Sequence, residues 1–369
     1  MSSPARKWCP PRHRAPCYSW VSASSQWRWP SVACCRARNA DMTAVQIQGL
    51  GKVYRGGTRA LHSVDLQVSE GEIVAVVGES GCGKSTLLRV VAGLEDATEG
   101  AVALFEQTVT SPAGTVPTER RGVAMVFQDH ALFPHLRVHA NVAFGLRGLP
   151  RSQKQARVSE ALGLVGLPGL GDRYIHELSG GQRQRVALAR ALAPTPRIVL
   201  LDEPLSSLDE RLRSALRDDI LRLLRARGTT ALWVTHRAED ALTVADRSVV
   251  LESGLVVQVG APEALYHRPV SRYVARMFGP VNAIPASIAP RLGVEGAPAA
   301  DGAHLVRPEA LVLHPDGLFG VIAARRYRGT GYMAEITLDS GDTVLVATAS
   351  APTVGTAVGV RCRSITSAS

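Results

Sequence analysis

Gly78-Glu79-Ser80-Gly81-Cys82-Gly83-Lys84-Ser85-Thr86 is the stretch from which the rest of the chain can be read. It satisfies G-x-x-x-x-G-K-[ST], the phosphate-binding loop. Glu72-Ile73-Val74-Ala75-Val76-Val77 enters it as a buried strand, and Leu87-Leu88-Arg89-Val90-Val91-Ala92 leaves it as a helix. Glycines let successive backbone N–H groups curl towards phosphate oxygens, and the helix adds its positive N-terminal end. Lys84 is then a mobile cation for the β- and γ-phosphates. Ser85 offers a hydroxyl to Mg²⁺, and Thr86 a second hydroxyl beside the phosphates. A glycine-rich turn without a ligand would need neither the strand, nor the helix, nor the Lys-Ser pair. Cys82, inside the loop and beside a helix N-terminus, is a candidate reactive thiol whose alkylation should inhibit nucleotide use.

The chain downstream supplies what a bound triphosphate would require. Arg197-Ile198-Val199-Leu200-Leu201-Asp202-Glu203-Pro204 is a continuous apolar run ending in two carboxylates, as expected of a parallel strand buried on both faces. Asp202 can hold Mg²⁺ through water, and Glu203 is a candidate to polarise an attacking water. Ser207-Leu208-Asp209 follows, with Asp209 opening a helix that runs through Leu224. A further buried strand, Thr230–Thr235, delivers His236 to the same sheet edge, where a γ-phosphate contact is expected. Gly122–Phe127 reads as another buried strand and places Gln128 at the crevice where open α/β sheets bind ligands. Leu178-Ser179-Gly180-Gly181-Gln182 caps and opens a helix, a second anion-receiving helix N-terminus. Tyr54 follows an alternating strand that begins at Val45. It is either a platform for a stacked base or a half-buried edge tyrosine. Residues 134–196 are mostly helical, and Thr110–Pro117 reads as a loop.

Composition becomes informative once it is located. The chain has 369 residues, a net charge of +10 and six cysteines. Residues 1–41 carry Arg6, Lys7, Arg12, Arg14, Arg28, Arg36 and Arg38 against Asp41 alone, so more than half of the charge sits there. They also hold Cys9, Cys17, Cys34 and Cys35, with no paired C-x₂-C spacing for zinc and no apolar stretch for a signal peptide. This segment is expected to be a disordered extension or a mis-assigned start. The remainder is mildly basic and nearly free of cysteine, which suits a reducing compartment and gives no basic footprint for nucleic acid. No apolar run reaches 18 residues, so no transmembrane helix is expected, and if the protein works at a membrane a partner must do the spanning.

Taken together in this order, the motifs resemble those of an ATP-binding-cassette ATPase over residues 43 to about 280. The resemblance makes Tyr54 the A-loop aromatic, Gly78–Thr86 Walker A, Gln128 the Q-loop and Leu178–Gln182 the signature. Ile198–Asp202 becomes Walker B, Glu203 the catalytic glutamate, Ser207-Leu208-Asp209 the D-loop and His236 the switch histidine. It implies a phosphate-loop α/β cassette at residues 42–280 with a helical subdomain at about 134–196. It also implies ATP and Mg²⁺ as cofactors and a head-to-tail homodimer that sandwiches two ATP molecules. In that dimer the Ser179–Gln182 helix end meets the phosphate held by the other copy. Phe127–Leu136 and Asn141–Leu146 look like importer sequence, in which this surface, including Leu132 and Phe133, receives an integral membrane permease. An extracytoplasmic solute-binding protein would then act indirectly, and the ATPase would lie peripherally on the cytoplasmic face of the membrane.

Residues 281–369 lie outside that cassette. Pro290–Ala303 reads as a linker, followed by short strands at Leu305, Gly320, Tyr332, Thr343 and Gly359, a small β-barrel of OB type. Val306-Arg307-Pro308-Glu309 resembles the opening of the accessory domain of binding-protein-dependent importers, with regulation or dimer contact as its role. The Ser111–Arg121 segment and the tail most resemble ferric-iron importer ATPases; polyamine, sulfate and phosphonate importers share most of the pattern. Nucleic-acid-handling cassette ATPases are the rival class, but they call for a long coiled coil or a second cassette that this chain lacks. Two positions depart from the family: Arg237 stands where an acid is usual, and Ala140 where Glu is common.

Overall fold

The computed structural model describes residues 42–206, 208–296, 298–299 and 301–363. The expectations for residues 1–41 and for Ser207 lie outside the described residues. The chain opens with strands β1 (Thr43–Val53), β2 (Arg59–Ser69) and β3 (Ile73–Val77), then helix α1 (Lys84–Ala92). Strands β4 (Glu99–Leu104), β5 (Gln107–Ser111), β6 (Gly114–Thr115) and β7 (Val123–Val126) follow. Helices α2 (Val138–Ala143), α3 (Arg151–Leu164) and α4 (Gly180–Leu192) lead to β8 (Ile198–Asp202), α5 (Glu210–Arg227) and β9 (Thr230–Thr235). Then come α6 (Ala238–Val244), β10 (Arg247–Glu252), β11 (Leu255–Gly260), α7 (Pro262–His267) and α8 (Arg272–Met277). The chain closes with β12 (Asn282–Pro285), β13 (Ala303–Val306), β14 (Leu311–Tyr327), β15 (Tyr332–Leu338), β16 (Thr343–Thr348) and β17 (Ala357–Cys362).

The central sheet runs β11-β10-β3-β9-β8-β7, parallel from β10 to β7 with β11 antiparallel at one edge. Its apolar runs are continuous because both faces are covered. Val74 and Val76 pack with α1 on one face, whereas Ile73, Ala75 and Val77 join the core shared with α4 and α5 on the other. The parallel strands therefore end on one edge, where β3 delivers the phosphate loop, β8 the carboxylates and β9 His236. A second sheet, β2-β1-β4-β5-β6, is antiparallel and closes the α1 side.

Three local expectations need correction. Gly122–Phe127 is not a fully buried strand: β7 is the sheet edge, so Val123, Ala124 and Met125 are only partly covered and Val126 alone is buried. Thr110–Pro117 is not a plain loop, since β5 and β6 form a hairpin there. Pro290–Ala303 is not a linker between domains. It joins the paired strands β12 and β13, and Leu292 within it is fully buried in the C-terminal core.

That core lies under an antiparallel sheet in the order β16-β15-β14-β17. The long β14 bends where its register with β17 shifts between Leu313 and Leu318. The bend needs glycine. A Cβ on Gly359 would sit 2.1 Å from the His314 carbonyl oxygen, and one on Gly317 2.5 Å from the Val360 backbone. No helix among the described residues is long and apolar enough to cross a membrane.

Candidate functional site

The phosphate loop is shaped by close backbone approaches. A Cβ at Gly78 would lie 2.3 Å from the Leu251 carbonyl oxygen, and one at Gly83 2.4 Å from that of Ala60. Gly83 also takes φ 105°, a conformation L side chains avoid, and opens α1 directly. Lys84 is 5% exposed, and its Nζ donates to the carbonyl oxygens of Gly78 and Glu79, both at 2.8 Å. Glu79, Ser80 and Gly81 form the exposed rim. Cys82 corrects the thiol expectation: it is 6% exposed and packs against the loop, so this arrangement closes it to an alkylating reagent. The Tyr54 hydroxyl lies 3.2 Å from that of Thr86, and Lys52 stands over its ring at 5.0 Å. The ring is thereby fixed beside the first turn of α1. At the other end of α1, buried Arg121 donates to the carbonyls of Val90 and Val91, both at 2.9 Å. A cation there complements the helix dipole whose positive end faces the loop.

Ser85 and Asp202 meet across the sheet edge, the serine Oγ donating to Asp202 Oδ1 at 2.9 Å. Asp202 is 2% exposed. Burial raises its pKa above the ordinary aspartate value, with Glu203 adding to the rise and the Ser85 hydrogen bond opposing it. Hydroxyl and carboxylate oxygens side by side suit a hard cation such as Mg²⁺. Among the described residues no cluster of three His, Cys, Asp or Glu could hold a metal by itself, so such an ion would share its ligands with nucleotide phosphates.

The raised pKa has a stability consequence. A carboxyl whose folded pKa exceeds its unfolded value ionises first in the unfolded chain, so raising the pH through that window favours unfolding. The penalty is complete above the folded pKa and absent below the unfolded one. Asp202→Asn keeps an oxygen for Ser85 and removes the charge. It is expected to raise the melting temperature of the nucleotide-free protein at neutral pH and to lose that gain in acid. Thermal melts of both proteins across pH check this.

Glu203 stands at φ 48°, in the left-handed region that costs a non-glycine residue about 1–2 kcal/mol. Two bonds hold it there: its N–H donates to the Val234 carbonyl at 3.1 Å, and Gln184 Nε2 donates to its carbonyl at 3.3 Å. The twist turns the carboxylate towards His236, whose Nδ1 lies 3.0 Å from Oε1. Strain of this kind gathers at sites where a side chain must be aimed. Both residues line a small cavity with Trp233 and Arg237. Arg237, the departure from the family pattern, pairs with Glu210 at 2.8 Å and Glu239 at 3.2 Å.

The remaining candidates are not joined to these groups. Ser179 and Gln182 form a reciprocal capping box at the start of α4, at 2.9 and 3.3 Å. Gly180 is exposed, and a Cβ at Gly181 would meet Leu208 at 2.8 Å, which packs the helix end against the Leu208 turn. Asp209 is exposed and caps α5 through Leu212 N at 2.9 Å. Gln128 is exposed at the end of β7. Among the described residues none of these four side chains hydrogen-bonds the phosphate loop. Leu132 and Phe133 are half-buried rather than exposed: Leu132 packs on the core and the Phe133 ring lies tilted against Phe144, centroids 4.5 Å apart, with Phe144 49% exposed. Sequence reasoning missed what holds this segment. Buried Asn141 clamps it through Phe133 N, Phe133 O and Leu136 O. Arg190 of α4 donates to the carbonyls of His130 and Ala131, both at positive φ. A buried asparagine flanked by apolar positions was the available signal.

Residues 61–206 match the ABC transporter family model, and residues 304–364 match the TOBE domain. The Fe(3+) ions import ATP-binding protein of Streptomyces avermitilis is 46% identical over 288 residues, which cover 74% of this chain and 82% of that relative. The chain belongs to the ABC transporter family. As an ABC ATPase it binds and hydrolyses ATP, on an α/β cassette followed by a TOBE domain. The sn-glycerol-3-phosphate import ATP-binding protein of Chromohalobacter salexigens is 44% identical over 286 residues, covering 73% of this chain and 76% of its own. The spermidine/putrescine import ATP-binding protein of Photobacterium profundum is 38% identical over 339 residues, covering 84% and 90%. Among solved structures, a dimeric ATP-binding cassette in a post-hydrolysis state bound to ADP and Pi superposes with a TM-score of 0.56 at 32% identity. It covers 59% of this chain and 98% of that one.

Proposed function

We propose that this chain is the ATP-hydrolysing subunit of an importer that takes ferric iron through partner permeases. The observation that carries the reading is the joining of Ser85 to Asp202 and of Glu203 to His236 at one sheet edge, beside the phosphate loop. Gly78–Thr86 cradles the triphosphate, and Lys84 transfers its Nζ from the loop carbonyls to the β- and γ-phosphates. Tyr54 stacks on the base. Mg²⁺, held by Ser85, by Gln128 and through water by Asp202, would supply charge neutralisation on the phosphates. Glu203 takes a proton from the attacking water, whose oxygen bonds to the γ-phosphorus as the bond to the β-phosphate oxygen breaks and ADP leaves. His236 orients the γ-phosphate and is held by the same carboxylate.

The exposed N-terminus of α4 supports a head-to-tail homodimer, in which Ser179, Gly180, Gly181 and Gln182 reach the γ-phosphate bound by the other copy and Asp209 lies near it. That a solved neighbour is a dimeric ATP-binding cassette supports the association of two copies. The exposed Phe144, backed by Phe133, suits a docking helix of a permease. We further assign residues 42–280 to the cassette, with helices over about 134–196 as a subdomain, and 281–369 to the accessory domain. The protein would sit peripherally on the cytoplasmic face of the membrane, with no nucleic-acid partner and with a solute-binding protein acting indirectly.

Ferric iron is favoured by the Streptomyces avermitilis relative; polyamines are the second substrate reading, on the strength of the longer match to the spermidine/putrescine relative. Deleting the gene and following uptake of labelled Fe(III) and labelled spermidine separates them. Loss of iron uptake alone is expected, and loss of spermidine uptake alone would overturn the iron assignment.

A further inference from the structure

Tyr273 on α8 touches the phosphate loop from behind. Its hydroxyl accepts from the Glu79 backbone N–H at 3.1 Å and donates to the Leu251 carbonyl at 2.9 Å. Leu251 O is the same atom that excludes a side chain from Gly78. One hydroxyl therefore ties the second residue of the loop to β10, the neighbour of β3. It also fixes the peptide unit before Glu79, whose own carbonyl receives Lys84 Nζ.

The other end of this short helix is held by the C-terminal region. Arg307, 6% exposed, donates through Nη1 to the carbonyls of Ala275, Gly279 and Pro280 at 2.9 to 3.1 Å. Its Nε donates to the Tyr266 carbonyl at 3.0 Å, and its guanidinium lies 4.1 Å from the Tyr266 ring. The Tyr266 hydroxyl in turn donates to Glu309 at 2.5 Å, and Arg272 of α8 pairs with Asp301. Ala275 is two residues from Tyr273, so a shift of the arginine is passed to the tyrosine within one helical turn.

We propose that Tyr273 is a positioning residue for the phosphate loop, and that the Arg307 clamp holds it in register, so that docking of the C-terminal domain sets ATP affinity. This rests on the ATP-site reading above. A hydroxyl contacting two backbone groups is worth a modest factor, because water replaces it only partly.

The test uses the full chain and ATP itself, with Kd from equilibrium dialysis alongside kcat and KM. Tyr273→Phe removes only the hydroxyl. It is expected to raise the Kd and KM for ATP about three- to tenfold, with kcat and melting temperature unchanged. Arg307→Lys is expected to weaken ATP binding in the parent chain but to add little in the Tyr273→Phe background, the non-additivity of one shared route. Unchanged affinity in Tyr273→Phe, or effects that multiply in the double variant, would overturn the inference. So would a loss of kcat and melting temperature in step with affinity, which marks a purely structural role. Lys84→Ala in the same dialysis reports on the ATP site itself, so its failure is distinguishable from failure of the tyrosine.

Discussion

Glu203→Gln is expected to cut kcat for ATP at least about a hundredfold while leaving ATP binding intact. The argument starts from geometry. Glutamine keeps an oxygen for His236 Nδ1, now 3.0 Å from Glu203 Oε1, and leaves the strained φ of 48° and its two backbone bonds untouched. What it loses is the capacity to accept a proton from water. The γ-phosphate then persists between the copies, and the dimer proposed from the exposed end of α4 should accumulate with ATP and fall apart with ADP. Light scattering on the variant with ATP and Mg²⁺ reads both outcomes. Ordinary turnover would sink the base assigned to Glu203, and a strictly monomeric ATP-bound variant would sink the shared site.

Lys84→Ala should weaken ATP by at least about a hundredfold, the loss of two charge-assisted hydrogen bonds at about 1.5–3 kcal/mol each. The buried ammonium has two carbonyl partners in the loop itself, both at 2.8 Å. The loop thus holds the cation within itself before any ligand arrives, so the proposed exchange of carbonyl for phosphate partners would cost little reorganisation. Alanine removes the ammonium donor from the Gly78 carbonyl and leaves the Glu79 carbonyl with the Cys82 N–H alone, so the loop loses shape as well as charge. Isothermal titration against ATP measures the loss, and a melt of the nucleotide-free variant separates loop damage from unfolding. Affinity within a few-fold of the parent would contradict the role given to Lys84.

The groups at the sheet edge are legible in the sequence because each ends an unbroken apolar run. Val77, Asp202 and Thr235 close β3, β8 and β9, and parallel strands buried on both faces have to finish in the same place. Signals that depend on neighbours are harder to read. The run before Gln128 is as apolar as the others, and only its place at the end of the strand order leaves it partly covered. Leu132 and Phe133 look exposed until Phe144 and the core approach them from elsewhere in the chain. Pro290–Ala303 has linker composition, yet Leu292 supplies the C-terminal core. Arg121, Asn141, Arg190 and Arg307 share a further reason for escaping notice. Each is a polar side chain that donates to several backbone carbonyls, a pattern with no fixed spacing in sequence.

Trp233 sits fully buried on β9, three residues before His236, and lines the cavity it shares with Glu203. Outside residues 1–41 it is the chain's single tryptophan. From Met42 onward the chain thus carries one indole fluorophore, placed behind Glu203 and His236. Its emission can follow nucleotide arrival, cleavage and release in real time, with no label attached.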